Sequence, residues 1–390
     1  MAPRALKGVC VTGPLSHRGP RAAESRHTGR RAQQIRHTCR VRGSGGGPDG
    51  TGHLVGKAVI VTGATSGIGF AAARALAAAG ASVCLAVRSV ERGVQAQAAI
   101  RSQYPDADVE VQCCDLANLA SIRQFANEWL SAHPEGPDIL INNAGVIARR
   151  PMLTADGFER TIGTNHLGHF ALTGLLLPAI VNGRRQQPSP GHADAAQTAQ
   201  TAQTAHAPAR IVTVTSLAHR WGRIRAGEWA PTSGRTPARA FRPWHAYAQS
   251  KLANAVLTVE LRRRLAMHAL PIASIGVHPG IAVTNVLIPG LTTPGVRTPG
   301  SRLGAALARL VVPSADQAAA MLEYAAGSPQ AARADQREPT MVRPSGMLHL
   351  RGRPETAIAS EAARGRQLGR DLWRVSEAAT GVHYLDEPPR

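Results

Sequence analysis

Lysine is nearly missing from this chain of 390 residues, which has 3 Lys beside 42 Arg, and tyrosine is as scarce, at 4. Aromatic residues make up 4% of the sequence and none falls in its basic N-terminal stretch, so a surface that stacks nucleic-acid bases is not expected. Five cysteines with no Cys-x-x-Cys pair are too few for a disulfide scaffold. With no His-x-x-x-His spacing in the folded part either, no metal is expected. No uncharged apolar run reaches the roughly 18 residues a membrane-crossing helix needs, and the chain reads as soluble and cytoplasmic. Acidic residues are short as well: 25 Asp and Glu against 45 Lys and Arg leave a net charge of +20. Such an excess invites a polyanion partner, but its distribution along the chain matters more than its sum.

What is present is 43% hydrophobic residues, which excludes wholesale disorder. Residues 1–51 carry ten basic side chains against Glu24 and Asp49, show no apolar period, and are expected to be a disordered tail. That tail is either dispensable or the product of a start codon placed too far upstream. From Lys57 the texture changes to short apolar runs alternating with Ala- and Leu-rich segments at helical spacing. This alternation predicts an α/β fold, a doubly wound parallel sheet in a single domain over 52–385. Strands are expected near 57–62, 82–87, 108–113, 138–142, 210–215 and 272–278. Helices are expected near 68–79, 90–103, 118–132, 155–181, 245–267 and 314–326. The Gln-Thr-Ala repeat within 183–209 reads as a low-complexity insertion, and the Pro- and Gly-punctuated apolar stretch 281–312 as a substrate loop over a pocket.

Val59-Ile60-Val61-Thr62-Gly63-Ala64-Thr65-Ser66-Gly67-Ile68-Gly69 sets a buried strand, a glycine turn and a helix start in succession, the context in which a glycine motif cradles a pyrophosphate. Thr62, Gly63, Thr65, Ser66, Gly67, Ile68 and Gly69 are the candidate contacts. The second strand ends Ala86-Val87-Arg88, with no carboxylate for ribose hydroxyls and a guanidinium suited to a 2′-phosphate, so NADP(H) is expected in preference to NAD(H). Asp115, beside Leu116, is placed after the third strand to meet an adenine amino group.

Tyr247 and Lys251 lie four apart at the start of a helical pattern, hence one turn apart on one face. In a chain that uses Arg almost everywhere, a Lys at this spot marks a need for a compact cation, one that would draw the phenol down from its ordinary value of about 10. Ser216 ends a strand at its carboxyl edge, where open parallel sheets bind ligands, and Asn142-Asn143-Ala144-Gly145 ends another. Thr164-Asn165-His166 breaks a helical run with a polar side chain, and Pro279-Gly280 closes the sixth strand with Thr284 shortly after. The nearby His166, His169, His219 and His245 read as packed or surface histidines.

On these motifs together the chain resembles the short-chain dehydrogenase/reductases, in particular the branch of retinol dehydrogenases and light-dependent protochlorophyllide reductases. The resemblance covers about 54–385 and implies a Rossmann sheet of about seven parallel strands. It implies a nicotinamide cofactor touched by the glycine turn, Arg88, Asp115, Leu116, Asn143, Ala144, Gly145, Tyr247, Lys251, Pro279, Gly280 and Thr284. It also implies a catalytic tetrad of Asn165, Ser216, Tyr247 and Lys251, with Asn165 holding a water that links Lys251 to solvent. The expected activity is an oxidoreductase interconverting alcohol and carbonyl on a small apolar molecule such as a retinoid, steroid or lipid aldehyde. The alternative is a catalytically silent dinucleotide-binding scaffold of the same fold. Helices 118–132 and 155–181 are those through which such a chain would form a homodimer. The basic leader, the 183–209 insertion and the lack of a hydrophobic N-terminal anchor depart from the resemblance.

Overall fold

The computed structural model describes residues 54–185, 208–224, 241–280, 314–333, 340–346, 349 and 351–386. The tail 1–51, nearly all of the 183–209 insertion, and the 281–312 loop with Thr284 lie outside the described residues.

The chain builds one eight-stranded sheet in the order β3-β2-β1-β4-β5-β6-β7-β8. Its strands are β1 (Ala58–Thr62), β2 (Ser82–Val87), β3 (Val109–Cys113), β4 (Ile139–Asn142), β5 (Ala209–Val214), β6 (Ile272–Val277), β7 (Thr340–Pro344) and β8 (Pro354–Ile358). β1 to β7 run parallel, and β8 closes the edge antiparallel to β7. The six strands expected from the sequence are all present. Of the two further strands, β8 has no fully buried position and so lacks the apolar run that marks the inner strands, whereas β7 buries Met341 and Val342, an apolar run too short to stand out.

Helices α1 (Gly67–Ala78), α2 (Val90–Gln103), α3 (Leu119–Ala132), α4 (Gly168–Arg185), α5 (Pro243–Met267), α6 (Ala315–Gly327) and α7 (Arg366–Thr380) cover the two faces. Strand side chains alternate between them, as the period of two requires. Val59, Val61, Val83 and Leu85 meet Ala72, Leu76 and Leu322 on one side. Ile60, Leu140 and Ile211 meet Phe125, Phe170, Leu257 and Trp373 on the other.

The helix expected over 155–181 divides. Gly157 takes a φ of 84°, which only glycine adopts without strain, and Leu153 bridges Glu159, so the chain is still turning where a helix was expected. Glu159 then caps the amides of Thr161 and Ile162 at 2.8 and 3.0 Å. Gly163–Leu167 winds as a π turn before α4 begins. The break read at Thr164-Asn165-His166 is therefore real, and its form is one extra residue in a turn, a device that re-aims side chains.

The carboxyl-terminal helix α7 is polar on one side and was not legible as a core element, yet its Trp373 is 1% exposed. The indole lies 5.1 Å from the Phe170 ring and 4.7 Å from that of Tyr384, with the Arg264 guanidinium stacked 4.3 Å away. Burial of so large a ring predicts that Trp373→Ala costs about 3–5 kcal/mol in denaturant unfolding. A variant within about 1 kcal/mol of the parent, an ordinary surface effect, would show that α7 does not dock this way.

Candidate active site

The order of strands reverses between β1 and β4, and the crevice above that point is where parallel sheets of this kind take ligands. Gly63 and Gly67 adopt φ of 68° and 59°, which turns the chain from β1 into α1. A methyl group on Gly69 would run into the Asn143 side chain and reach 2.6 Å from the Gly63 carbonyl, and one on Gly63 would reach 2.9 Å from the Ala144 backbone, so the glycine turn packs closely on both α1 and the end of β4. Ser66 precedes α1 without capping it by its side chain, and the first turn holds no acidic residue. The free amides at Gly67, Ile68 and Gly69 thus open onto the crevice with Thr65 beside them, a donor set that fits a phosphate.

Arg88 follows β2 and is exposed. The Gly63 amide bonds the carbonyl of Ala86 at 3.1 Å, which brings the end of β2, and so Arg88, beside the glycine turn. Asp115 caps the Ala117 amide with one carboxylate oxygen at 3.0 Å. Leu116 is buried in the core layer, against Gly168 at the start of α4.

Beyond a 3.0 Å contact of the Asn143 amide with Ile141 O, the chain leaving β4 is held by Thr62. Thr62 Oγ1 accepts from the amides of Asn143 and Ala144 at 2.9 and 3.0 Å, while the Asn143 side chain donates back to the Thr62 carbonyl at 2.8 Å. From the π turn, Asn165 braces the next stretch: its Oδ1 accepts from the Val146 amide at 2.8 Å, and its Nδ2 donates to Val146 O and Ser250 Oγ, both at 3.0 Å. Ser250 donates in turn to the carbonyl of Tyr247 at 2.8 Å. Asn165 is thereby joined to the turn of α5 that carries Tyr247 and Lys251.

Those two side chains and Ser216 converge at the carboxyl edge of β5. Tyr247 is buried, with its phenol hydrogen-bonded to the Ser216 side chain. Lys251 Nζ stands 5.7 Å from the phenol ring centroid and donates to Val214 O at 3.0 Å. Burial pushes the Tyr247 phenol above its ordinary value, opposed by the bond to Ser216. The sequence pointed the other way, to a phenol drawn down by Lys251; in this structure desolvation sets the direction. Lys251 is itself lowered by burial from 10.5 to about 8. Of its three donors one is used on Val214, and a methyl group on Gly145 would sit 3.4 Å from Nζ, so the space over Gly145 is open to the ammonium. Pro279 and Gly280 follow β6, buried, with Gly280 at a φ of 83°.

This arrangement has relatives. The family model described as short chain dehydrogenase matches residues 57–187. Polyprenol dehydrogenase from Mus musculus is 34% identical over 331 residues, 84% of each chain. The chain belongs to the short-chain dehydrogenase family. Retinol dehydrogenase 12 from Homo sapiens is 38% identical over 235 residues, 60% of this chain and 64% of that one. Among solved structures, an uncharacterized protein from Mycobacterium paratuberculosis superposes with a TM-score of 0.61 at 34% identity, covering 85% of this chain and 96% of that one.

In this short-chain dehydrogenase the four sequence-predicted catalytic residues are brought together, and so are the glycine turn, Arg88, Asn143, Ala144 and Gly145 at the same edge. Two participants went unseen. Ser250 was not singled out, and His169 was read among the packed or surface histidines; neither carries a sequence signal, because Asn165 and Thr62, the partners that draw them in, are distant in the chain. His245 is exposed, whereas His166 and His169 are 0% exposed. Burial lowers His166 to about 3 and His169 to about 4, so both are neutral at ordinary pH. His166 Nε2 bonds Ser376 of α7 at 2.9 Å. His219 bonds the Ser216 carbonyl through Nδ1 at 2.6 Å.

Gly69 and Gly145 make opposite predictions. Gly69→Ala forces backbone apart and should cost about 1–3 kcal/mol of stability. Gly145→Ala meets nothing closer than 3.4 Å, so its melting temperature should match the parent while dinucleotide affinity, read by titration, falls about tenfold or more. Unchanged affinity in Gly145→Ala would remove the space over Gly145 from the cofactor path.

Proposed function

We propose that this chain is an NADP(H)-dependent oxidoreductase that interconverts an alcohol and a carbonyl on an apolar substrate. The observation that carries the reading is a buried phenol bonded to the Ser216 hydroxyl with an ammonium behind it, at the carboxyl edge of the sheet. A bound nicotinamide dinucleotide supplies or takes up a hydride. The chain's own groups handle the substrate oxygen and its proton. Ser216 donates a hydrogen bond to that oxygen, and Tyr247 delivers a proton to the forming alkoxide or removes one in the oxidative direction. Lys251 would hold the ribose hydroxyls with its two remaining donors, and its positive charge favours the tyrosinate that is left behind. The spare lone pair on Asn165 Oδ1, on the Gly145 side, would take the water through which Lys251 exchanges protons with solvent.

Two features support the finer assignments. Arg88 is the charged group at the end of β2, where a carboxylate would have favoured NAD(H). Tyr247 packs with Ala218, Ala248 and Ile147, and the Trp244 ring lies 5.7 Å from the phenol, so the reacting oxygen would sit among apolar walls. Retinoids, steroids and lipid aldehydes or ketones suit such walls, and the relatives named for retinol and polyprenol favour the same class. The chain spans 64% of the length of the human retinol dehydrogenase 12 it matches, so activity and substrate are for experiment to decide. A homodimer through α3 and α4 is part of the proposal and is tested by mass in solution.

Tyr247→Phe keeps the ring and removes the proton, so turnover should fall by about 10² or more with cofactor affinity close to the parent's. Lys251→Ala should lower both, because it loses the ribose contact and the cation together. Retained turnover in Tyr247→Phe would leave the silent scaffold as the better reading. Separately, Arg88→Ala should weaken NADPH roughly 10- to 150-fold with NADH little changed, the scale of a charge-assisted contact. A parent protein that prefers NADH would refute the NADP(H) assignment directly.

A further inference from the structure

His169 lies in the first turn of α4, 0% exposed, with both ring nitrogens engaged. Nδ1 is 2.9 Å from the carbonyl oxygen of Asn165, and Nε2 is 2.9 Å from Thr62 Oγ1. A carbonyl can only accept, so Nδ1 carries the proton and Nε2 is left as an acceptor. The Thr62 hydroxyl must therefore donate to it.

That choice has a geometric consequence. Thr62 Oγ1 is within hydrogen-bond reach of four groups: His169 Nε2 at 2.9 Å, Ile141 O at 3.2 Å, and the amides of Asn143 at 2.9 Å and Ala144 at 3.0 Å. A hydroxyl offers one proton and two lone pairs, three directions for four partners. With the proton on His169, both lone pairs are free for the two amides. Without an acceptor at His169 the proton turns to Ile141 O and one lone pair swings toward the empty position; the Asn143 amide still reaches Ile141 O at 3.0 Å, so the Ala144 amide is the one that loses its partner. Those amides head the loop that runs on to Gly145 and Val146, the stretch that Asn165 braces from the other side.

We propose that His169 is a positioning residue: through Thr62 it locks the end of β4 to the glycine turn, and through the Asn165 carbonyl it ties both to the π turn that carries the tetrad asparagine. It touches neither cofactor nor substrate. The lock itself rests on the hydrogen bonds alone, while its effect on dinucleotide binding rests on the function proposed above. Burial keeps the imidazole neutral, which the arrangement requires, since a second ring proton would leave Thr62 with no acceptor there.

Two substitutions separate the ring's functions. In His169→Gln the amide reaches about as far as Nε2 and retains an acceptor for Thr62. In His169→Asn the amide reaches only as far as Nδ1, keeping the Asn165 contact and losing Thr62. Hydrogen exchange at Ala144 in the cofactor-free protein should rise about tenfold in His169→Asn and stay within about twofold of the parent in His169→Gln, with NADPH dissociation constants moving in parallel. In a Thr62→Val background the two variants should become equal by both readings. Packing alone would make them equal in the Thr62 background as well, and that result overturns the proposal. A parent protein that binds neither NADPH nor NADH would sink the functional reading while the exchange measurement still decides the lock.

Discussion

The ends of β1 and β4 bring polar groups into the interior, with Thr62 1% exposed and Asn143 and Ala144 half-buried. An unpaired one costs about 1–3 kcal/mol, a large share of what holds a fold together. Thr62 Oγ1 resolves this for the amides of Asn143 and Ala144. Because the hydroxyl must itself donate, it draws His169 into the same network, and His169 draws in the carbonyl of Asn165. The π turn is what allows a single stretch of chain to face several ways. From Gly163–Leu167 and the residues beside it, Asn165 reaches Val146 and Ser250, His166 reaches Ser376 on α7, and His169 reaches Thr62. The glycine turn, the loop after β4, the helix bearing Tyr247 and Lys251, and the carboxyl-terminal helix are all registered to that turn.

The same burial sorts the titratable groups by task. Desolvation disfavours charge, so it lowers His166 and His169 and keeps them neutral at ordinary pH, fit for directional hydrogen bonds. It also raises the Tyr247 phenol, which favours its proton-bearing form until a neighbouring charge intervenes. Lys251 starts from 10.5, so burial brings it to about 8, near the threshold at which an amine changes its charge. Arg210 shows the contrast. It is 5% exposed, capping the carbonyls of Ala325, Gly327 and Ser328 at the end of α6, and burial lowers it by a similar amount, from 12.5 to about 10, which leaves it charged at ordinary pH. A chain with 42 Arg spends a Lys where a compact cation that can change its charge is required.

Legibility followed how locally each feature is encoded. The inner strands could be read because both of their faces are covered, leaving continuous apolar runs such as Val59-Ile60-Val61. The glycine turn could be read because its backbone geometry demands residues without side chains at fixed spacing. β8 and α7 could not, since half-exposed elements bury few side chains and their sequence is mostly polar. The helix start at 155 was misjudged because Gly157 and the Leu153–Glu159 bridge are tertiary decisions about where a turn ends.

By itself the sequence determined the doubly wound α/β class, the glycine turn, the pairing of Tyr247 with Lys251 one helical turn apart, and the basic residue after β2. Each of these is a matter of spacing along one element or across one short turn. Only the tertiary structure decided that Ser216, from the end of β5, meets the phenol of α5, that Asn165 braces Val146 and Ser250, and that His169 shares a hydroxyl with Thr62, 107 positions away. The reason is physical. Spacing fixes which side chains share a face, whereas the partner of a buried donor or acceptor depends on which distant backbone is folded against it.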